Sequence, residues 1–276
     1  MTETIDTNAD QALKAKHRAM WALGDYPAVA IDLIAELGPA LVAASGVRAG
    51  HRVLDVGAGT GNAAVPAALA GATVVASDLT PELFVVGRQF AARHGAQLTW
   101  EEGDAEALPY DDGSFDVILS CVGVMFAPHH QRAADELVRV CRPGGTIGLL
   151  AWTPESFVGQ LFKVMKPYAP PPPPGAQPPP LWGDERHVAA LLGDRVGHMQ
   201  ARRQSVMIPF ATGAGFRDYF KQRYGPTIAV YRNLSADDER VTELDRALAE
   251  LGEQNLVATG TATMSWEYQL ITAVRL

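Results

Sequence analysis

The sequence predicts an α/β protein: a doubly wound, seven-stranded, mostly parallel sheet with a helical cap. Three observations predict it. Between residues 52 and 152 short β-rich runs alternate with helical stretches, which is the rhythm of βαβ units. Several of those runs are almost continuously apolar rather than alternating, as strands covered on both faces must be. The first run ends in a glycine-rich turn, at the point where open α/β sheets hold their ligands. Because βαβ crossovers are nearly always right-handed, a doubly wound sheet follows from that order.

The elements read as follows. Residues 1–8 look like an unstructured tail. Helical patterning runs from Ala9 to Leu23 and stops near Gly24. A second helix starts after Pro27 and runs through Leu33 and Leu37, and Pro39 breaks or restarts it before Ala44. Strands are expected at 52–56, 73–77, 97–101, 115–120 and 146–152, with helices at 62–69, 82–94 and 131–141 between them. Arg142-Pro-Gly-Gly145 reads as the turn that stops the third of these helices. After Trp152 the rhythm breaks. Pro170 to Pro174 and Pro178 to Pro180 can only be loop or polyproline II, a stiff connector rather than a ladder or helix. A ligand for a proline-binding module is the other reading. Helices at about 213–232 and 236–256 and strands at 206–210 and 266–274 complete the chain. The division expected is an N-terminal helical lid over 1–46, a ligand-binding core over 47–152, and a connector, cap and last strands over 153–276.

Composition narrows the function. The 276 residues carry 23 basic and 31 acidic side chains, a formal net charge of −8. A nucleic-acid partner, which would want a basic field, is not expected. Cys121 and Cys141 form no Cys-x-x-Cys pair, so neither a zinc site nor a redox motif is expected, and the metal prediction is none. The polar, acidic start carries no secretory pattern and no apolar run reaches membrane-spanning length, so a cytoplasmic protein is expected.

The chemistry starts at Asp55-Val-Gly57-Ala-Gly59-Thr-Gly61-Asn62. Glycines there let a ligand approach the backbone without a β-carbon in the way. A dinucleotide fingerprint needs Gly-x-Gly-x-x-Gly, which would put glycine at position 62, and Asn62 stands there instead. Asp78 closes the second strand, 17 residues after Gly61, where a carboxylate accepts hydrogen bonds from the ribose hydroxyls of an adenosine. A solvated strand-end aspartate is the bland alternative. Glu102-Gly-Asp104-Ala105-Glu106-Ala-Leu-Pro-Tyr-Asp-Asp-Gly-Ser-Phe-Asp follows the third strand.

With the glycine loop and the Arg-Val-Cys-Arg-Pro-Gly-Gly turn, that stretch closely resembles class I S-adenosylmethionine (SAM) dependent methyltransferases over residues 50–152. Within them the chain is most similar to the type 11, ubiquinone/menaquinone-biosynthesis-like group. It resembles in particular uncharacterised actinobacterial members that share Met20-Trp-Ala-Leu-Gly-Asp-Tyr26, Gly123-Val-Met-Phe-Ala-Pro128 and a Pro-rich segment ending Leu181-Trp-Gly183. The resemblance implies a Rossmann-like fold, SAM as cofactor and S-adenosylhomocysteine as its product. It implies that Asp55 orients the loop and helps bind the methionine ammonium, and that Gly57, Ala58 and Gly59 line the methionine and ribose. Asp78 would hold the ribose, Leu79 would pack on adenine, and Asp104 and Ala105 would bind the adenine edge. Cys121 and Val122 would sit beside the methionine portion. His17, Trp21 and Tyr26 are candidates for a lid over the cofactor, although plain core packing explains the same three.

For the acceptor side the sequence offers less. Transfer from a sulfonium mainly needs proximity, alignment and exclusion of water, with a base only where the acceptor must lose a proton. His129 and His130 open the helix after Pro128, where a helix N-terminus keeps imidazole neutral, so they are the candidate bases. They could equally be solvent-facing residues of a first turn. Phe216, Tyr219, Phe220 and Tyr224 share one helical face and, with Trp152, are candidates to enclose an aromatic or isoprenoid acceptor, or to be core. The function expected is methyl transfer to O, N or C of a small, apolar or aromatic metabolite, in a chain that could form a homodimer. The alternatives are an NAD-linked oxidoreductase, a non-catalytic SAM-binding regulator, and a macromolecule methyltransferase. Against the last stand the acidic charge and Ser120-Cys-Val-Gly123, where such enzymes carry an Asn-Pro-Pro-Tyr-like motif.

Overall fold

The computed structural model describes residues 7–259 and 261–276. The first six residues of the expected tail lie outside the described residues, and the chain is already helical at Thr7 in α1 (Thr7–Trp21). A short helical turn, α2 (Tyr26–Ala28), continues as π-helix over Val29–Leu33, and α3 (Leu37–Ala44) follows. Val29, Ala30, Leu37 and Leu41 are buried, which ties this apolar segment to the core. Among the described residues no single helix is long and apolar enough to cross a membrane.

The βαβ rhythm then produces β1 (Arg52–Val56), α4 (Ala64–Leu69), β2 (Thr73–Asp78), α5 (Phe84–Arg93), β3 (Thr99–Glu102) and β4 (Phe115–Cys121). α6 (His130–Val140) leads into β5 (Cys141–Trp152). The strand order is β3-β2-β1-β4-β5-β8-β6, with β7 (Leu256–Thr259) pairing only with β8 (Thr261–Arg275). The first five strands run parallel, and β8 enters antiparallel to both β5 and β6 (Val196–Ile208). β1 and β4 are buried along nearly their whole length, as strands covered on both faces must be. α3 and α4 pack on one face, α6 and α8 (Glu185–Leu192) elsewhere on the sheet.

The structure departs from the sequence reading in several places. The order contains the expected seven strands plus the β7 hairpin partner, so the sheet has eight. Arg142-Pro-Gly-Gly145 belongs to β5 as a bulge. Phe115 pairs with Cys141 and Val117 with Thr146, leaving the four residues opposite a single position of β4. The expected helix at 213–232 is two helices, α9 (Gly213–Arg223) and α10 (Gly225–Asn233), because Pro226 forces a new start. α11 (Asp238–Gln254) matches its expected position. α7 (Phe157–Met165) and α8 were not anticipated around the prolines. β6 begins ten residues before its expected start, since its first half alternates polar, exposed side chains along a sheet edge.

The core is one continuous cluster centred on β4, where Ile118 and Leu119 are fully buried. Truncating either leaves a cavity that close packing does not refill. Ile118→Ala should therefore lower the unfolding free energy by about 2–5 kcal/mol, read as a shifted urea midpoint at unchanged slope. A loss below about 0.5 kcal/mol would mean that β4 is not the central strand.

Candidate functional site

The site is founded on a contact between two loops. The Gly57 and Ala58 N–H groups both donate to the Ser77 carbonyl, at 2.9 and 3.0 Å, and the Gly59 N–H donates to Asp78 Oδ2 at 2.8 Å. These bonds stitch the loop after β1 onto the end of β2. On its other side the same loop touches the one after β4. Gly57 has φ +68°, and a Cβ there would stand 2.8 Å from the Gly123 Cα, while a Cβ on Gly123 would run into the Gly57 carbonyl. The Ser120 hydroxyl donates to the Val56 carbonyl (2.6 Å) and accepts from the Val124 N–H (2.8 Å), fixing the second loop. Between them Val122 has φ +54°. A β-branched residue in the left-handed region costs roughly 1–3 kcal/mol and persists only where its surroundings hold it. Here its N–H bonds the Leu150 carbonyl at 2.7 Å.

Above this floor lies an open cavity of about 670 Å3, a volume that includes the solvent at its mouth. Of the residues expected from sequence, His17, Trp21, Tyr26, Gly57, Gly59, Asp78, Leu79, Asp104, Ala105 and Val122 line it. Asp55, Ala58 and Cys121 do not. Asp55 is buried behind the loop; its Oδ2 accepts from the Ala64 N–H at the start of α4 (2.9 Å), and its Oδ1 has no partner. Burial pushes its carboxyl up to about 8, against the pull of that N–H. Asp78 is also raised by burial, opposed by the N–H groups of Gly59 and Thr80. Lys14, Gly123, Phe126 and Pro128 line the cavity without having been assigned a role. The string Gly123-Val-Met-Phe-Ala-Pro128 had marked the last three, while nothing in the local sequence marks Lys14. Asn62 donates to the Ala30 carbonyl (3.2 Å), tying the loop to the π-helix that follows Tyr26.

A network of charges carries α1 to this cavity. Lys14 Nζ lies 2.9 Å from Asp104 Oδ1 and 2.8 Å from Glu106 Oε2, and Arg18 reaches Glu82 and Glu102, both at 2.9 Å. Glu106, whose side chain is fully buried, also accepts from the His129 N–H (2.8 Å) and pairs with His129 Nδ1 (2.9 Å). Asp10, Glu106 and His129 hold ligand-type atoms within 4.8 Å of one another. Lys14 and Arg132 already supply positive charge to that cluster.

A second, smaller cavity, about 330 Å3 with the solvent at its mouth included, adjoins the first and shares Tyr26, Val122 and Phe126 with it. Trp152, Phe220 and Tyr224 line it as anticipated, together with Val29, Ile34, Val158 and Trp266. Phe216 and Tyr219 do not. Phe216 is core, packed on Phe157 at 4.7 Å, and Tyr219 sits outside between Phe210 and Arg223. Tyr26 and Tyr224 are held well above the ordinary phenol range by burial, so both stay neutral.

The two candidate bases need correction. Neither His129 nor His130 lines either cavity. Glu106 captures the His129 ring. His130 is fully buried beneath α8, its Nδ1 2.9 Å from His187 Nε2 and its ring against Trp182. Burial and that second histidine push it down to about 3. It is a packed core histidine.

A methyltransferase domain family matches residues 54–149. An uncharacterized protein of Mycobacterium tuberculosis (strain ATCC 25618 / H37Rv) is 50% identical over 273 residues, 98% of each chain. The demethylmenaquinone methyltransferase of Clavibacter sepedonicus is 39% identical over 99 residues, 36% of this chain and 40% of that one. Among solved structures, a putative methyltransferase from Bacillus halodurans C-125 is similar with a TM-score of 0.54 at 22% identity, over 85% of this chain and 96% of that one. Phosphoethanolamine N-methyltransferase 2 of Haemonchus contortus, solved in complex with S-adenosyl-L-methionine, gives 0.54 at 16% identity over 87% and 52%. At these identities the structural likenesses speak to fold.

Two outcomes follow from this geometry. Glu106→Gln leaves Lys14 and His129 without their buried partner and should destabilise the fold by about 3 kcal/mol, measured by urea unfolding; a change within about 0.5 kcal/mol would deny Glu106 its place as hub. The second concerns pH. Because the raised Asp55 carboxyl favours its protonated form in the fold, its contribution is complete below the ordinary carboxylate range. It is lost as pH rises through about 8. Asp55→Asn keeps an oxygen for the Ala64 N–H and should lose less stability than the parent between about pH 4 and about pH 8. Identical pH slopes in the two proteins would refute the assignment.

Proposed function

The chain belongs to the SAM-dependent methyltransferases, in one family with its mycobacterial relatives, and on that premise we propose that it methylates a small, apolar or aromatic acceptor held in the second cavity. The observation that carries the proposal is the shared wall. Tyr26, Val122 and Phe126 face both cavities, so a group at the end of one lies against the contents of the other.

The larger cavity fits the donor. It offers carboxylates at Asp78 and Asp104, spaced on successive strand ends as an adenosine requires, and an uncluttered glycine floor. The Asp55 Oδ1 left without a partner lies just behind that floor. When bound, the donor supplies an electrophilic methyl on a sulfonium. The chain's own contribution is to position and to keep water out. Gly57 and Gly59 let the backbone approach the donor. Asp78 accepts from its ribose and Asp104 Oδ2 is free for its adenine edge, since Lys14 takes Oδ1. Trp21 on α1 and Tyr26 on α2 close the top.

The smaller cavity is lined by six aromatic and four aliphatic side chains. None of these carries a charge, and its two tyrosines stay protonated. The proposal therefore assigns no protein base to the transfer. The nucleophile is one that reacts as it enters, and the site aligns it with the methyl. Oxygen, nitrogen and carbon nucleophiles can all meet that condition.

The experiment pairs donor binding with turnover. Calorimetric titration should show SAM and S-adenosylhomocysteine binding one to one. A panel of small aromatic metabolites, screened by mass for a gained methyl, should contain substrates. Val158→Phe, which fills the second cavity, should cut turnover on them at least ~10-fold and leave the SAM dissociation constant within about twofold. Turnover that survives the filling would place the acceptor elsewhere.

A further inference from the structure

One lining residue of the apolar cavity carries a buried polar atom with no hydrogen-bond partner among the described residues. Trp266, on β8 opposite Val206 of β6, is 2% exposed and lines the cavity. Its indole is stacked on Phe157 (ring centroids 5.2 Å apart, 11° between planes) and edged by Trp152 at 5.7 Å and Phe220 at 5.7 Å. Those neighbours are aromatic rings that offer no acceptor, and the Trp266 Nε1–H is buried without a hydrogen-bond partner among the described residues. Buried polar groups are paired in nearly all cases, because leaving one unpaired costs its full desolvation. A phenylalanine would pack in the same hollow without that cost. Trp182 also has an unpartnered Nε1, but it packs on His130 and lines neither cavity.

We infer that the Trp266 N–H is the hydrogen-bond donor that orients the acceptor, and that the acceptor is a neutral, flat molecule carrying a carbonyl oxygen or ring nitrogen at the end away from its reacting atom. The inference rests on the reading of this cavity as the acceptor site. Tyr26, Val122 and Phe126 form the wall shared with the larger cavity, and Trp266 lies outside that wall. An acceptor with its polar atom on Trp266 therefore turns its opposite edge toward the methyl. Neutrality follows from the wall, which has no ionised group to pair with a charged ligand and would leave it desolvated. Flatness follows from the aromatic lining, which packs best on planar faces. Trp266 is a positioning residue here, with no part in bond making.

The test reads the indole directly. The chain has five tryptophans, so protein labelled with 15N at the indole gives five N–H resonances. That of Trp266 is assigned by its contacts to Phe157 and by its loss in Trp266→Phe. Protein saturated with S-adenosylhomocysteine is titrated with acetophenone and with α-methylstyrene, in which a methylene replaces the carbonyl oxygen. Acetophenone should move the Trp266 N–H downfield and bind ~3- to 10-fold more tightly than the hydrocarbon. In Trp266→Phe the two should bind within about twofold of each other. The wild-type shift and affinity ratio stand even if the variant folds poorly. If both probes perturb Trp152 but leave the Trp266 N–H unmoved, or bind equally to the wild type, the orienting role is wrong and the acceptor cavity stands. If neither probe perturbs either indole, the cavity does not admit such ligands, and this inference and the acceptor reading both fall. Binding of S-adenosylhomocysteine in the same sample keeps the methyltransferase assignment separate from either failure.

Discussion

The structure depends on one steric constraint, the approach of the Gly57 backbone to that of Gly123. Both positions exclude a Cβ, since each backbone occupies the space where the other's side chain would begin. With the two loops in contact, Ser120 can bridge from the Val56 carbonyl to the Val124 N–H, and β4 delivers its loop directly over the end of β1. The chain must then turn within Cys121-Val122-Gly123, and Val122 is driven into a left-handed conformation to do it. That strained residue becomes part of the partition between the two cavities. The donor floor, the shared wall and the strain thus have one origin.

A second layer depends on charge. Glu106 lies in the segment between β3 and β4, buried to its last atom, and it gathers Lys14 from α1, His129 from the start of α6 and, at 3.6 Å, Arg132. A carboxylate in that position is tolerated because opposite charge and N–H donors replace its water. The consequence is mechanical as well as electrostatic. α1 is held over the larger cavity by Lys14 and, one turn on, by Arg18, by Asp10 beside Arg132, and by Trp21 packed on Tyr26, Phe126 and Tyr224. The exposed Arg18 pairs contribute little each, so among these ion pairs Lys14–Glu106 is the one shielded from water.

How much of this was legible beforehand follows from how local each signal is. The lining of the larger cavity was legible where its parts sit at strand ends: Gly57, Gly59, Asp78, Asp104 and Ala105 each lie within a few residues of a recognisable strand. The second cavity was not, because its wall is assembled from residues 26, 122, 152, 220 and 266, which only the tertiary fold brings together. The stripe from Phe216 to Tyr224 had the right spacing, but a helix in a packed cap buries more than one face, and only Phe220 and Tyr224 turn to the cavity. β6 hid its first half because Arg202, Arg203 and Gln204 are exposed on a sheet edge and mimic loop. α7 and α8 hid on either side of prolines that dominate their surroundings. The π-helix after Tyr26 carries no sequence signal comparable to a cap or a glycine stop.

The histidines show where position along the chain stops being informative. A helix start after β4 is a sound place to seek a base, and His129 and His130 are there. Orientation decides against them. His129 is drawn by Glu106 toward the α1 network, while His130 points beneath α8 against His187. With both turned away, the polarity of the site divides cleanly. Carboxylates, glycine backbone and an ammonium line the larger cavity, while aromatic and aliphatic carbon lines the second. A strong base beside the sulfonium would be a nucleophile in its own right. A wall of hydrocarbon with neutral tyrosines is inert toward it, so under the proposed function the same absence of charge that leaves proton removal to the acceptor also protects the donor from the protein.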